Sequence, residues 1–251
     1  MELIIGVGEI GCGLKQLFEK HSIEVAGIDL DTKRCFGVPE NITQLHICIP
    51  YSTSFLSTIK DLYNEWTPHS WVMHSTVKPG TTKLIHDRFP ISNLIYSPVR
   101  GVHARMLLDL ERYTKFYSGY SGADPSQFLQ CFTEKCNIRV QSFSTPLALE
   151  IAKIVLDTSY YGWIIAYGQL VDKICAAHNV NYDELWTFTE EIHQVLGNRP
   201  KTYVDLKGIG GHCVLQNLDL IEDDLPELKY IITKINQETT KRHSRSVNEL
   251  S

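Results

Sequence analysis

Over roughly its first 145 residues the chain alternates short apolar runs with amphipathic stretches, the pattern of parallel β/α structure. The apolar runs predict strands at Glu2–Gly6, Val25–Asp29, Leu45–Pro50, Trp71–His74, Leu94–Tyr96 and Phe116–Gly119. A helical period predicts helices after Gly11, over Ser54–Trp66 and over Thr81–Arg88. The strand pattern then stops. From Pro146 to about His178 apolar residues occupy more than one helical face, which predicts a long helix buried by other helices or by a second copy of the chain. Further helices are predicted over Tyr182–Leu196 and from about Leu225 to Arg242, with a glycine-rich turn between them. The expected fold class is α/β: a parallel-sheet domain over 1–143 followed by an all-helical domain over 144–251. The aromatic and apolar set Tyr160, Tyr161, Trp163, Ile164, Ile165 and Tyr167 exceeds what one short helical domain hides, so a homodimer through this helix is expected.

Charge and cysteine usage narrow the class. With 24 Lys+Arg against 29 Asp+Glu the net charge is −5, and no basic run is present, which argues against nucleic acid as the main partner. No apolar stretch approaches a bilayer span, and the N-terminal MELIIGVGEIG lacks the basic start of a signal peptide. The seven cysteines are odd in number and unevenly spaced, as expected of a protein of the reducing cytoplasm. Cys131 and Cys136 lack a second pair or a histidine at finger spacing, so no metal is expected.

Gly6-Val7-Gly8-Glu9-Ile10-Gly11 matches G-x-G-x-x-G, follows an apolar strand and leads into a helical pattern, and the next strand ends in Asp29, 18 residues after Gly11. Glycines there permit a sharp turn and let a pyrophosphate approach backbone N–H groups at a helix N-terminus. A carboxylate at Asp29 accepts from a ribose 2′-hydroxyl and repels a 2′-phosphate, which favours NAD. Lys33 and Arg34 leave NADP as the lesser option. Only 15 residues separate Asp29 from Leu45, too few for the usual helix and strand, so the unit reads as a trimmed Rossmann-type domain.

Five segments in order, GVGEIG (6–11), ICIPYS (47–52), HSTVKPGTT (74–82), EIAKIVLDTSYY (150–161) and GIGGHCV (208–214), resemble the nucleotide-sugar dehydrogenase family of UDP-glucose and UDP-N-acetylmannosamine dehydrogenases. The resemblance implies a Rossmann domain, a helical dimerisation domain and NAD-dependent oxidation of a CH–OH group on a sugar or UDP-sugar through a cysteine thiohemiacetal. Its implied cofactor-binding residues are Gly6, Gly8, Glu9, Ile10, Gly11, Asp29, Pro50, Tyr51, Ser75 and Thr76. Its implied catalytic residues are Cys213 as nucleophile and Lys153 as oxyanion stabiliser, with Thr76, Asp157 and Asn217 for water and the polar network. Arg100, Gly210, Gly211 and His212 would meet substrate, and His212 would lower the thiol pKa. The remaining six cysteines read as small core residues. Glu150, Lys153 and Asp157, at i, i+3 and i+7, are expected on one face of a largely buried helix.

The chain departs from the family at several of these positions. Asp157 stands where the family has Asn, Asn217 where it has Asp, Gln216 where it has Lys and Val99 where it has Glu. The first two read as an exchange of carboxylate and amide across one site. The chain also stops at residue 251, without the third, nucleotide-binding domain of the family. Ser97-Pro98-Val99-Arg100-Gly101 is similar to the carboxylate-binding element of β-hydroxyacid dehydrogenases, which carry out a single hydride transfer on a small acid, with Arg100 or Arg105 as the carboxylate clamp. A third reading is a non-catalytic NAD-binding paralogue.

Overall fold

In the computed structural model, residues 1–101, 103–120, 122–159, 167–168, 171–172, 174–197 and 226–248 are described. The chain divides into two compact units, Met1–Tyr161 and Gly162–Ser251.

The first unit is a seven-stranded sheet of order β2-β1-β3-β4-β5-β6-β7. Its strands are β1 (Glu2–Ile5), β2 (Val25–Ile28), β3 (Gln44–Ile47), β4 (Ser70–Met73), β5 (Leu94–Tyr96), β6 (Lys115–Gly119) and β7 (Val140–Ser142). β1 to β5 are parallel, β6 runs antiparallel to β5, and β7 lies parallel to β6. The six predicted strands are all present, within a few residues at their ends. β7 was not anticipated, because its VQS has only one apolar residue. The trimmed interval is filled by a single 3₁₀ turn, Thr32–Arg34, and one antiparallel bridge from Gly27 to Phe36.

Strand alternation sorts the core onto two faces. Leu3, Ile5, Leu45, Ile47, Trp71, Met73, Leu94 and Tyr96 meet α2 (Phe55–Glu65) and α3 (Thr81–Arg88). Ile4, Val72 and Ile95 point the other way, toward α1 (Glu9–Lys20), α4 (Met106–Arg112) and α5 (Ser126–Leu129). The last two helices escape a periodicity reading because they are one or two turns long. Helices on both faces make this a doubly wound, Rossmann-type sheet. The winding reverses at β1, so the carboxyl ends of β1 and β3 flank the topological switch point.

α6 (Pro146–Ala152) belongs to the first unit, which runs past the division expected near 143, and packs on α3, β5 and β6. Thr145 caps it through a 3.1 Å bond from Ala148 N–H, and Pro146 occupies its first turn. It continues as a π-helix over Lys153–Ser159. Within the single chain, Ile151, Val155 and Leu156 of this stretch are 44%, 50% and 69% exposed, while Leu149 and Glu150 carry the packing. Residues 160–166, with most of the aromatic set expected to drive pairing, lie outside the described residues.

The second unit contains α7 (Tyr182–Leu196), capped by Asn181, and α8 (Pro226–Asn248). Tyr167 and Tyr182 both pack against Trp186. No described helix is long and apolar enough to cross a membrane.

Candidate functional site

The glycine loop closes over the end of β1. Gly6 has φ +89°, which only glycine adopts without strain, and its N–H donates to Ile28 O of β2. Gly11 packs directly on it: a Cβ at 11 would lie 2.1 Å from Gly6 O. By contrast, a Cβ on Gly8 would meet nothing within 4 Å, so the loop is open where the helix begins. No side chain caps α1 at Gly8, and its positive dipole end faces that opening. Asp29 at the end of β2 braces the turn, accepting from Val7 N–H (2.7 Å) and Asp31 N–H (2.9 Å).

Beside this loop lies an open cleft of about 840 Å³, lined by Val7, Gly8 and Glu9 together with Lys15, Lys33, Arg34 and Arg105. Four cations against one carboxylate suit a phosphate-bearing ligand. Cys12 and Cys35 also line it and are exposed, so the expectation that they are buried core residues fails for these two. Both serve the turn instead: Cys12 Sγ lies 3.4 Å from Val7 O, and Cys35 Sγ accepts from Asp29 N–H at 3.3 Å. Lys15 and Arg105 were not anticipated as cleft residues. Lys15 sits on the helix after the motif and Arg105 about a hundred residues away, with no sequence signal joining them.

Across the switch point, Pro50 and Tyr51 are exposed after β3, Tyr51 with its ring against Phe55. Ser75 turns inward, its hydroxyl donating to Ile49 O at 2.5 Å, so it ties two crevice loops together. Thr76, next to it, is exposed.

A second cavity, about 190 Å³, gathers Arg100, Lys153 and Asp157 with Pro98, Phe116 and Leu149. Three polar positions read from two segments some fifty residues apart thus share one pocket. Lys153 Nζ meets Asp157 Oδ2 at 2.5 Å. Both ride the π-helical turn, a rare geometry frequent at functional sites. Arg100 is held flat by Phe116 and Tyr113, its guanidinium 4.9 and 5.2 Å from their ring centroids, and it donates to Thr114 O. These partners come from the end of α4 and the start of β6 and carry no sequence signal. Arg105, the other candidate clamp, pairs with Asp109 instead.

Glu150 does not share a polar stripe with Lys153 and Asp157. It is 1% exposed and turns to the start of α3, accepting from Gly80 N–H (2.6 Å), Thr82 N–H (2.8 Å) and the Thr82 hydroxyl (2.5 Å). Three donors on a neighbouring element outweigh a solvated pairing along its own helix. Gly210, Gly211, His212, Cys213 and Asn217 lie outside the described residues, so the proposed Asp157–Asn217 exchange has no geometry here. Among the described residues no cluster of His, Cys, Asp and Glu could hold a metal ion.

No family model and no curated protein matches the sequence. Solved structures do match the fold. The chain is similar to GDP-mannose dehydrogenase from Pseudomonas aeruginosa (TM-score 0.76, 14% identity), covering 96% of this chain and 69% of that one. It is similar to the UDP-N-acetyl-mannosamine dehydrogenase of Staphylococcus aureus (TM-score 0.63, 16% identity, 100% and 71% covered). It also resembles a reductive aminase from Aspergillus terreus in complex with NADPH (TM-score 0.60, 12% identity, 99% and 93% covered). At identities this low the likeness shows the fold alone.

Proposed function

We propose that the chain is an NAD-dependent oxidoreductase of the nucleotide-sugar dehydrogenase type, oxidising a CH–OH group of a sugar or nucleotide-sugar. The observation that carries this reading is the cavity joining Arg100, Lys153 and Asp157 within the same unit as an open, cationic glycine-loop cleft. Two nucleotide-sugar dehydrogenases among the similar structures support the choice of substrate class.

The residues of the loop suit a dinucleotide. Gly8 leaves room at the α1 N-terminus for a pyrophosphate, and Asp29 stands at the end of β2 where an adenosine ribose would pair. A nicotinamide cofactor held by this loop would supply the hydride acceptor. In the second cavity Lys153 stabilises negative charge developing on the reacting oxygen, and Asp157 holds the ammonium in place. Arg100, flattened between two rings, orients an anionic or hydroxyl-rich part of the substrate. Cys213 adds to the aldehyde, in the role its Gly-Gly-His-Cys motif implies, and Thr76 positions water. In this proposal the protein is a cytoplasmic homodimer paired through its helical part.

Arg100 in the cavity also favours a second reading, a single oxidation of a small hydroxyacid whose carboxylate Arg100 grips. Assay of NADH formation on a panel of sugars, nucleotide-sugars and hydroxyacids tests both. Lys153→Met should lower kcat about 100-fold or more with little loss of stability. Cys213→Ser should abolish acid formation from a sugar alcohol. Turnover that survives Cys213→Ser supports the hydroxyacid reading, and dinucleotide binding without turnover of any substrate overturns both.

A further inference from the structure

On the α1 and α5 face of the sheet, four ionisable side chains from four segments form one continuous buried row. Glu2 of β1, His46 of β3, His74 just after β4 and Lys115 of β6 are all 5% exposed or less. Glu2 Oε2 lies 2.8 Å from His46 Nε2, His46 Nδ1 lies 3.0 Å from His74 Nε2, and Lys115 Nζ lies 3.3 Å from His74 Nδ1. The two rings are within 10° of parallel with centroids 5.3 Å apart. That separation exceeds the nitrogen–nitrogen distance by about one ring width, so the rings meet end to end, in line for an N–H···N bond. Buried strands of a parallel sheet are normally apolar throughout. Burying this many polar groups is costly unless each is paired.

Pairing is complete in two ways. In one, the Lys115 ammonium donates to His74 Nδ1 and also to Ser97 O, 3.4 Å away, His74 Nε2–H donates to His46 Nδ1, and His46 Nε2–H donates to the Glu2 carboxylate. In the other, His74 Nδ1–H donates to Ser97 O, which lies 2.8 Å away and only accepts. His46 Nδ1–H then donates to His74 Nε2, and a protonated Glu2 donates to His46 Nε2. His74 Nδ1 thus has both a donor and an acceptor within reach, and this makes the row bistable.

We propose that Glu2, His46, His74 and Lys115 form a proton relay through the sheet, in which a proton passes between the Lys115 amine and the Glu2 carboxylate while both histidine rings exchange tautomers together. In the forward step Lys115 gives one proton to His74 Nδ1, His74 Nε2 gives one to His46 Nδ1, and His46 Nε2 gives one to Glu2. The amine and the carboxyl end neutral and both rings end as Nδ1–H forms. The other titratable groups facing the row are the thiols of Cys48, Cys131 and Cys136, with Lys135 beyond them. Burial lowers the Lys115 amine to about 7 and, with the nearby Lys115 and His46, holds His74 well below the usual histidine range, so a neutral His74 ring and a labile amine proton suit the row. The relay does not depend on the proposed dehydrogenase activity.

The test is ¹⁵N NMR of the ring nitrogens of His46 and His74 in the whole protein, where protonated and bare nitrogens resonate separately. In the wild type each ring should carry one proton, and both should be the same tautomer. Lys115→Met leaves Ser97 O as the partner of His74 Nδ1, so both rings should convert to the Nδ1–H form, His46 included although it does not touch position 115. Glu2→Gln keeps the shape and removes the terminal acid; its amide accepts from or donates to His46 Nε2 by turning, so the two rings should still share one tautomer, which keeps the proposal testable if Lys115→Met does not fold. A doubly protonated ring, rings in opposite tautomers, or a His46 that ignores a change at His74 would each overturn it.

Discussion

Replacement of Glu150 by Gln tests whether the start of α3 and the helix bearing Lys153 are joined through one buried carboxylate. The site offers Glu150 only donors: two backbone N–H groups and a hydroxyl. A carboxylate accepts on both oxygens, whereas an amide accepts on one and donates on the other. With its oxygen toward Thr82, the glutamine amide opposes Gly80 N–H and that bond is lost. Hydrogen bonds to a charged group contribute about 1.5–3 kcal/mol each, and neutral ones about half that. Losing one and weakening two gives about 3–6 kcal/mol, together with a few tenths for the lost charge at a helix N-terminus. Relaxation of the Gly80 turn would recover part of this, so about 3 kcal/mol is expected.

That is a large fraction of the 5–15 kcal/mol typical of a domain. It is read as a fall in the urea midpoint at unchanged m-value. Gly80 also ends the loop that carries Thr76, and Glu150 lies one turn before Lys153. Turnover should therefore fall further than the folded fraction does, because the carboxylate fixes both segments. A loss of 0.5 kcal/mol or less would refute the reasoning, since it would mean that the three donors find water as readily as Glu150.

The glycine loop separates fold from binding. Gly11→Ala places a methyl against Gly6 O and should destabilise by more than about 3 kcal/mol, seen as a lower thermal midpoint. Gly8→Ala, with open space above it, should leave that midpoint unchanged and weaken dinucleotide binding in an NADH fluorescence titration. Stability should also depend on pH through the buried row. The folded Lys115 amine titrates near 7 and the unfolded one near 10.4, so between these values only the unfolded chain holds the proton and stability rises with pH. The rise is as much as about 4 kcal/mol, and denaturation midpoints of Lys115→Met should lack it. His74, lowered in the folded state, adds a loss of stability as pH falls below about 6.5. Arg100→Lys keeps the charge but not the flat stacking between Phe116 and Tyr113, and should raise KM more than it lowers kcat.

How much of this was legible in the sequence follows from the range of each interaction. Strands and long helices announce themselves through local period, and the glycine motif through spacing along a single turn. The six predicted strands, α3 and α7 therefore appear where the pattern put them. The Arg100–Lys153–Asp157 pocket was legible only as separate residues, because their meeting depends on α6 packing against β5 and β6. Glu150 shows the limit. Helical spacing placed it beside Lys153, and nothing local reveals that the start of α3 presents three donors to it.

The buried row makes the same point from the other side. Glu2, His46 and Lys115 each look like a polar interruption of a strand, and singly each would be read as a strand end or an exposed position. Only the order β1-β3-β4-β5-β6 and the in-register pairing of Ile4 with His46 and of His46 with Val72 bring these interruptions to one face. A lone polar group there would carry the full desolvation cost. Set end to end, each satisfies the next. The sheet therefore tolerates the row as a whole and no part of it alone, so any single apolar substitution within it should destabilise more than replacing Glu2, His46, His74 and Lys115 together by apolar residues of matched volume. Urea midpoints of the four single variants and the quadruple variant decide this, and a quadruple loss equal to the sum of the single losses would show four independent groups.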